Sequence, residues 1–234
     1  MIGRLSLTHR IEDGMRMGML LWRFGPGWRM ISSAVLGGGI GRREWVLNAQ
    51  VSKDYARMDP VDHLRELSPD GPGVGMLTAA VVDRHTVAED AGCAAVATVG
   101  LGHPTWAAEP PAAAPAGPGA PGEGPRPAAA GGGAGQAALR PGTINIIVAV
   151  PVAFSDAALV NAVMTVTEAK TQALLEAGFP CTGTASDAVC VAVREHGPAE
   201  PFGGPRSTWG ARIARAVHRA VLDGARDWRR RMGG

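Results

Sequence analysis

The sequence has 234 residues, 46% hydrophobic and 19% charged, with a formal net charge of +2. This is a globular composition with enough apolar material for one core, and the charge is too small to imply a polyanionic partner. Three cysteines, Cys93, Cys181 and Cys190, form no CxxC pair and no metal-ligand spacing, so reduced thiols and a cytoplasmic location are expected.

Residues 1–27 are rich in Met, Arg and Gly and receive no role. Their one apolar run, Met17–Trp22, is far too short to span a membrane, and neither a signal peptide nor a membrane partner is expected. Trp28–Leu36 and Arg43–Val51 are strand-like and flank Gly37, Gly38, Gly39, Ile40 and Gly41, which predicts a β-hairpin with a glycine-rich turn. No Lys-Ser/Thr follows those glycines, so a phosphate-binding loop is not inferred. Pro60–Leu67 reads as a short helix with proline at its first position. Gly71–Gly75 is a loop leading into Met76–Val82. His85–Glu89 and Ala94–Gly100 read as a second hairpin around Asp90–Gly92. His103, in GLGHPT, lies in a loop, where a surface or structural role outweighs that of a base.

From 107 to 141 the composition changes: 29 of 35 residues are Ala, Gly or Pro. Such a segment lacks the apolar surface to offset its ordering entropy, and a disordered linker or insertion is expected.

The next unit is the best defined. In Thr143–Val150, the residues Ile144, Ile146, Val148 and Val150 share one strand face, while Thr143, Asn145, Ile147 and Ala149 share the other. Asparagine is disfavoured inside an apolar strand, so Asn145 needs a reason. A helix follows, with Ser155 as N-cap, Asp156 in its first turn and Gly178 just beyond its end. Leu159, Val160, Val163, Met164, Leu174 and Leu175 are assigned to its buried side. Asn161, Thr165, Glu168 and Gln172 align on another face, read either as solvated or as working. The last strand brings Thr182, Thr184, Ser186 and Asp187, then Val189, Val191 and Val193. Beyond it, Ile213, Val217 and Val221 mark a helix stripe. Residues 206–231 hold eight arginines against Asp223 and Asp227, and the end, 227–234, is read as a solvated basic tail without a nucleic-acid partner. The fold class expected is α+β or α/β, a single domain with a mixed sheet flanked by helices.

GTINIIV at 142–148, ALVNAVMTVTEAKTQAL at 158–174, TGTASDAVCVA at 182–192 and GGPRSTWGARIARAV at 203–217 together resemble the adenosylcobinamide amidohydrolase (CbiZ) family. SSAVLGGGI at 32–40, the strand ending in Asn48, GMLTAA at 75–80 and ATVGLGHP at 97–104 look like the same family. The resemblance runs from Trp28 to Gly224, which implies one amidohydrolase domain built from 28–106 and 142–226. It implies hydrolysis of the amide between the corrin propionamide arm and aminopropanol, in corrinoid salvage and remodelling. A non-catalytic corrinoid-binding protein is the alternative.

Amide hydrolysis needs a base or nucleophile, oxyanion donors and a proton for the leaving amine. The resemblance supplies no residue roles, so these are assigned from chemistry. Glu168 or Asp187 is taken as base and proton shuttle, with Thr143 and Asn145 as donors to the oxyanion or to corrin amides. Thr184, Ser186, Lys170 and Asn161 are taken as substrate-binding. A sharper variant makes Thr143 an internal nucleophile freed by self-cleavage after Gly142. Cys181 stands where the family pattern has glycine, which argues against an essential thiol. No metal or other cofactor is expected, since cobalt arrives within the corrinoid. Trp28, Trp45, Trp106 and Trp209 are candidates to line the pocket. A homo-oligomer is left open.

Overall fold

The computed structural model describes residues 2–109 and 142–233. The first sheet draws only on the early chain. Strands β1 (Arg4–Glu12) and β2 (Met15–Arg23) form an antiparallel hairpin, β2 pairs with β5 (Trp45–Gln50), and β5 runs parallel to β6 (Gly73–Thr78). The segment 1–27, given no role from sequence, thus supplies two strands. No residue of β1 is fully buried, and the alternation of β2 is interrupted by Gly18, packed against Asp83 and Val82. Neither strand therefore carries a clean period-two signal.

The second sheet has the order β4 (Gly39–Arg42), β3 (Trp28–Ser32), β12 (Ala188–Arg194), β10 (Thr143–Phe154), β8 (Cys93–Gly100) and β7 (Thr86–Asp90), with β13 (Ala199–Glu200) alongside the end of β10. Its centre, β10 and β12, is parallel and linked by helix α2 (Asp156–Glu176), while β8 and β3 flank it antiparallel. The sheet is mixed, as expected from hairpins preceding a crossover.

Three apolar layers hold the elements together. Helix α1 (Pro60–Leu67) packs Leu64 on Trp45, Leu47 and Ala49 of the first sheet. Between the sheets lie Leu20, Trp22, Met30, Val46, Met76, Val96, Ile147 and Ala192. The outer face of the second sheet, with Ile144, Ile146, Val148, Val191 and Val99, is covered by α2 and α3 (Thr208–Met232). The layers run helix, sheet, sheet, helices.

The expected hairpin of 28–36 with 43–51 does not form. β3 turns back on β4, whereas β5 crosses to the other sheet, where all but its last residue are buried. The glycines serve that crossing. Leu36 bridges to Gly75, and Gly37, at φ 68°, lies so close to the Gly73 carbonyl that no side chain fits. The hairpin of β7 and β8 and helix α1 form as expected.

In α2, Ser155 caps the helix by accepting from the Ala158 amide, as expected, but the buried face differs from the sequence reading. Val160, Met164 and Leu175 face solvent. Leu159 and Leu174 are buried as expected, and the rest of the covered stripe is Ala158, Ala162, Thr165, Val166, Ala169, Lys170 and Ala173, mostly small residues that let the helix approach its neighbours closely. Thr165 donates its hydroxyl to the Gly203 carbonyl, 2.9 Å away.

The end of the chain is also more ordered than a solvated tail. α3 continues to Met232, and Asp227 accepts from Arg84 and, at 3.1 Å, from Arg231. Arg215 grips Asp90 with two bonds of 2.7 Å, and Arg229 covers the ring of Phe179. The arginine cluster is largely engaged within the fold. Residues 110–141 of the expected insertion lie outside the described residues. Among those described, no helix is long and apolar enough to cross a membrane.

Candidate active site

The period-two pattern of β10 sorts its side chains between two environments. Ile144, Ile146 and Val148 enter the layer under the helices, so Thr143 and Asn145 point with Ile147 toward the other sheet. Thr143 and Asn145 therefore sit at one end of the space between the sheets, where β10 begins and β8 ends, Thr143 standing opposite Gly100.

The reason for Asn145 is a chain of amides joining the sheets. Its Nδ2 donates to Asn48 Oδ1 and to the Leu77 carbonyl, both at 2.9 Å, and Asn48 Nδ2 donates to Thr98 Oγ1 at 2.9 Å. All three side chains are buried. Asn145 Oδ1 is buried without a hydrogen-bond partner among the described residues. Sequence reading flagged Asn145 and missed its partner. The available signal was the same in both cases, an asparagine inside a buried strand (WVLNAQ).

Beside this chain the turn before β12 folds round a carboxylate. Asp187 accepts from Lys170 Nζ and Thr184 Oγ1, both at 2.5 Å, from the Thr184 amide at 3.2 Å and from the Ile144 amide at 2.9 Å. Lys170 reaches it from the C-terminal third of α2, and the two side chains are 9% and 11% exposed. Gly183 makes room for the pair, since a Cβ there would strike both the Asp187 carboxylate and the Lys170 ammonium. Thr143 Oγ1 lies 2.9 Å from Ser186 Oγ, and Ser186 Oγ donates to the Gly142 carbonyl at 3.2 Å. Thr143 is 5% exposed whereas Ser186 faces solvent, so the cluster opens outward past Ser186.

Of the sequence candidates, Thr143, Asn145, Lys170, Thr184, Ser186 and Asp187 are brought together. Glu168 and Asn161 are not. Glu168 is two residues from Lys170, about 200° round the helix, and is exposed with no hydrogen bond or ion pair among the described residues. Asn161 is nine residues before Lys170, about 13 Å along the axis, and lies beside Gly204. The two faces looked alike in sequence because the buried one carries threonine and lysine.

Trp28 and Trp45 are core residues rather than pocket walls, and Trp209 lies near Gly92, where β8 begins, the opposite end from Gly100. Trp106 is 45% exposed. It follows β9 (Pro104–Thr105), which pairs with β11 (Gly183–Thr184) at the rim of the cluster. Burial pushes the Cys181 thiol up and raises Cys190 to about 12, so neither favours a thiolate. Among the described residues no three His, Cys, Asp or Glu side chains gather into a metal site. A groove of about 540 Å³ between α2 and α3, lined by Arg215, His218, Arg219 and Arg226, contains none of the cluster's residues. The cluster, unlike the groove, brings a hydroxyl, a carboxylate and an ammonium together.

The sequence profile of the adenosylcobinamide amidohydrolase family matches residues 4–233. A Methanosarcina mazei protein named adenosylcobinamide amidohydrolase is 29% identical over 205 residues, which cover 82% of this chain and 88% of that protein. A Halobacterium salinarum protein of the same name is 45% identical over 82 residues, 35% of each chain. An uncharacterised Methanocaldococcus jannaschii protein is 34% identical over 90 residues, again 35% of each. The family match takes in both sheets, the cluster between them and the C-terminal helix, and so the chain belongs to the adenosylcobinamide amidohydrolase family.

Proposed function

We infer that this chain hydrolyses the amide joining the corrin propionamide arm to aminopropanol in adenosylcobinamide, and that it does so at Thr143. The products are adenosylcobyric acid and aminopropanol. Family membership supports the reaction. The observation that carries its placement is the 2.9 Å contact of Thr143 Oγ1 with Ser186 Oγ, beside the buried Lys170–Asp187 pair.

Thr143 Oγ adds to the substrate carbonyl carbon, and collapse of the adduct breaks the C–N bond and releases aminopropanol, which takes up the proton. Water then cleaves the ester left on Thr143, giving the carboxylic acid and restoring the hydroxyl. Lys170 supplies positive charge near the developing oxyanion, and Ser186 relays the proton. Asp187 holds Lys170 and the Thr184 turn in place. Trp106 offers an exposed ring to the corrin at the rim. In this reading cobalt arrives inside the substrate and the protein's own groups supply the chemistry.

The test is mass-spectrometric detection of adenosylcobyric acid. Thr143→Ala is expected to lower turnover by about a thousandfold or more, and Glu168→Ala to leave it near wild type. A folded Thr143→Ala enzyme with full activity would overturn the placement. Wild-type protein that binds the corrinoid without cutting it would leave a binding protein instead.

A further inference from the structure

We propose that the chain cuts its own backbone between Gly142 and Thr143, and that the α-amino group released on Thr143 is the base for its hydroxyl. This rests on the placement of amide hydrolysis at Thr143 and deepens it.

The first argument is a missing base. Among the described residues no carboxylate, imidazole or amine hydrogen-bonds Thr143 Oγ1, which meets the Ser186 hydroxyl instead. The nearby carboxylate, Asp187, already receives four donors, and the ammonium of Lys170 is one of them. Glu168 faces solvent. A threonine hydroxyl is a weak nucleophile without an adjacent base, and an N-terminal amine on the same residue is one way to supply it.

The second argument is the geometry of the bond itself. Ser186 Oγ lies 2.9 Å from Thr143 Oγ1 and 3.2 Å from the Gly142 carbonyl oxygen, to which it donates. One hydroxyl thus touches both the attacking atom and the oxygen of the peptide bond to be broken. It accepts the Thr143 proton on one side while polarising the carbonyl on the other. Ser186 holds the scissile peptide at the Gly142 carbonyl, and Asp187 holds the next peptide at the Ile144 amide, 2.9 Å away, so Thr143 is fixed between two anchored peptides. Gly142 is pressed against the turn after β8. A Cβ there would come 2.8 Å from the Gly100 carbonyl oxygen and 3.0 and 3.1 Å from the His103 and Gly102 nitrogens. Glycine lets the backbone approach that closely.

The step balances without a co-reactant other than water. Thr143 Oγ adds to the Gly142 carbonyl carbon, and its proton passes through Ser186 to the departing Thr143 nitrogen as the C–N bond breaks. Gly142 is left as an ester on Thr143. Water adds to that ester and the C–O bond breaks, leaving a carboxylate on Gly142 and a free amine and hydroxyl on Thr143. The pieces stay together because β10 and β12, from the second, lie between β8 and β3, from the first.

The experiment is denaturing mass spectrometry with N-terminal sequencing of wild type, Thr143→Ala and Thr143→Ser, each also assayed on adenosylcobinamide. Wild type is expected as two fragments whose masses total the chain plus one water, the second beginning at Thr143. Thr143→Ser is expected to cut at the same bond, with hydroxylamine accelerating release by intercepting the ester, and Thr143→Ala to stay whole. Intact wild type that hydrolyses adenosylcobinamide would overturn self-cleavage and leave the amidohydrolase reading standing. Cut wild type that leaves the substrate amide whole would uphold self-cleavage and overturn the assignment of hydrolysis. Scission of Thr143→Ala at the same bond would assign the cut to another protease and overturn the proposal. The wild-type mass decides the matter even if Thr143→Ala fails to fold.

Discussion

Lys170 and Asp187, a helix residue and a turn residue, meet at 2.5 Å with both side chains almost covered. Removing one partner of such a pair strands the other charge in a poorly solvated place. Asp187→Ala and Lys170→Met are each expected to cost about 3–5 kcal/mol, while the double variant Lys170→Met/Asp187→Leu costs much less than their sum. Urea unfolding of the three variants measures this. Additive losses would mean that the two charges do not depend on each other.

The amide chain between the sheets makes a similar claim for neutral groups. Asn145→Ala strips a donor from both Asn48 Oδ1 and the Leu77 carbonyl, and Asn48→Ala strips a donor from Thr98. Each is expected to destabilise by about 1–3 kcal/mol, and the two losses should overlap, because each removes the Asn48–Asn145 bond. A double-mutant cycle by chemical unfolding returns the overlap directly. A coupling near zero would show that the Asn48–Asn145 bond contributes nothing to holding the sheets together.

Acid should loosen the C-terminal helix through one residue. Arg84 beside Asp227 is the main cause that holds its carboxyl down to about 2, against the ordinary 3.8. The folded value is the lower one, so this stabilisation is fully present above the ordinary value and is lost as pH falls from about 5 toward about 2. Asp227→Asn should therefore be less stable than wild type near neutral pH, with the gap closing across that window. Urea midpoints against pH give the comparison, and a gap unchanged at low pH would contradict the ionic tie.

What could be read in the sequence was local. Ser155, Pro60 and the Asp90–Gly92 turn announce helix and hairpin boundaries by chemistry that acts over a few residues, and the structure keeps them. Asn145 announced a problem, but its solution, Asn48, lies 97 residues away in the other sheet. The strand 45–50 looked like the partner of 28–36 because adjacency is the only clue a sequence offers. Its burial on both faces is a fact of layering. On α2 Leu159 and Leu174 mark the buried side correctly, but close packing favours alanine over the rest of it and leaves Val160, Met164 and Leu175 outside. In sequence Lys170 reads as a substrate contact, and what distinguishes it in the structure is a carboxylate 17 residues on. Glu168, two positions earlier, has no such neighbour.

The strand order of the larger sheet also sets a timetable for synthesis. Its flanks, β4 with β3 and β7 with β8, leave the ribosome first, while the two central strands come later and β12 comes after α2. Until then β3 and β8 each carry an unpaired edge, and the space between them is the place where β10 and β12 must insert. The nascent chain must therefore keep two hydrogen-bonding edges from finding other partners while its own middle is still being made.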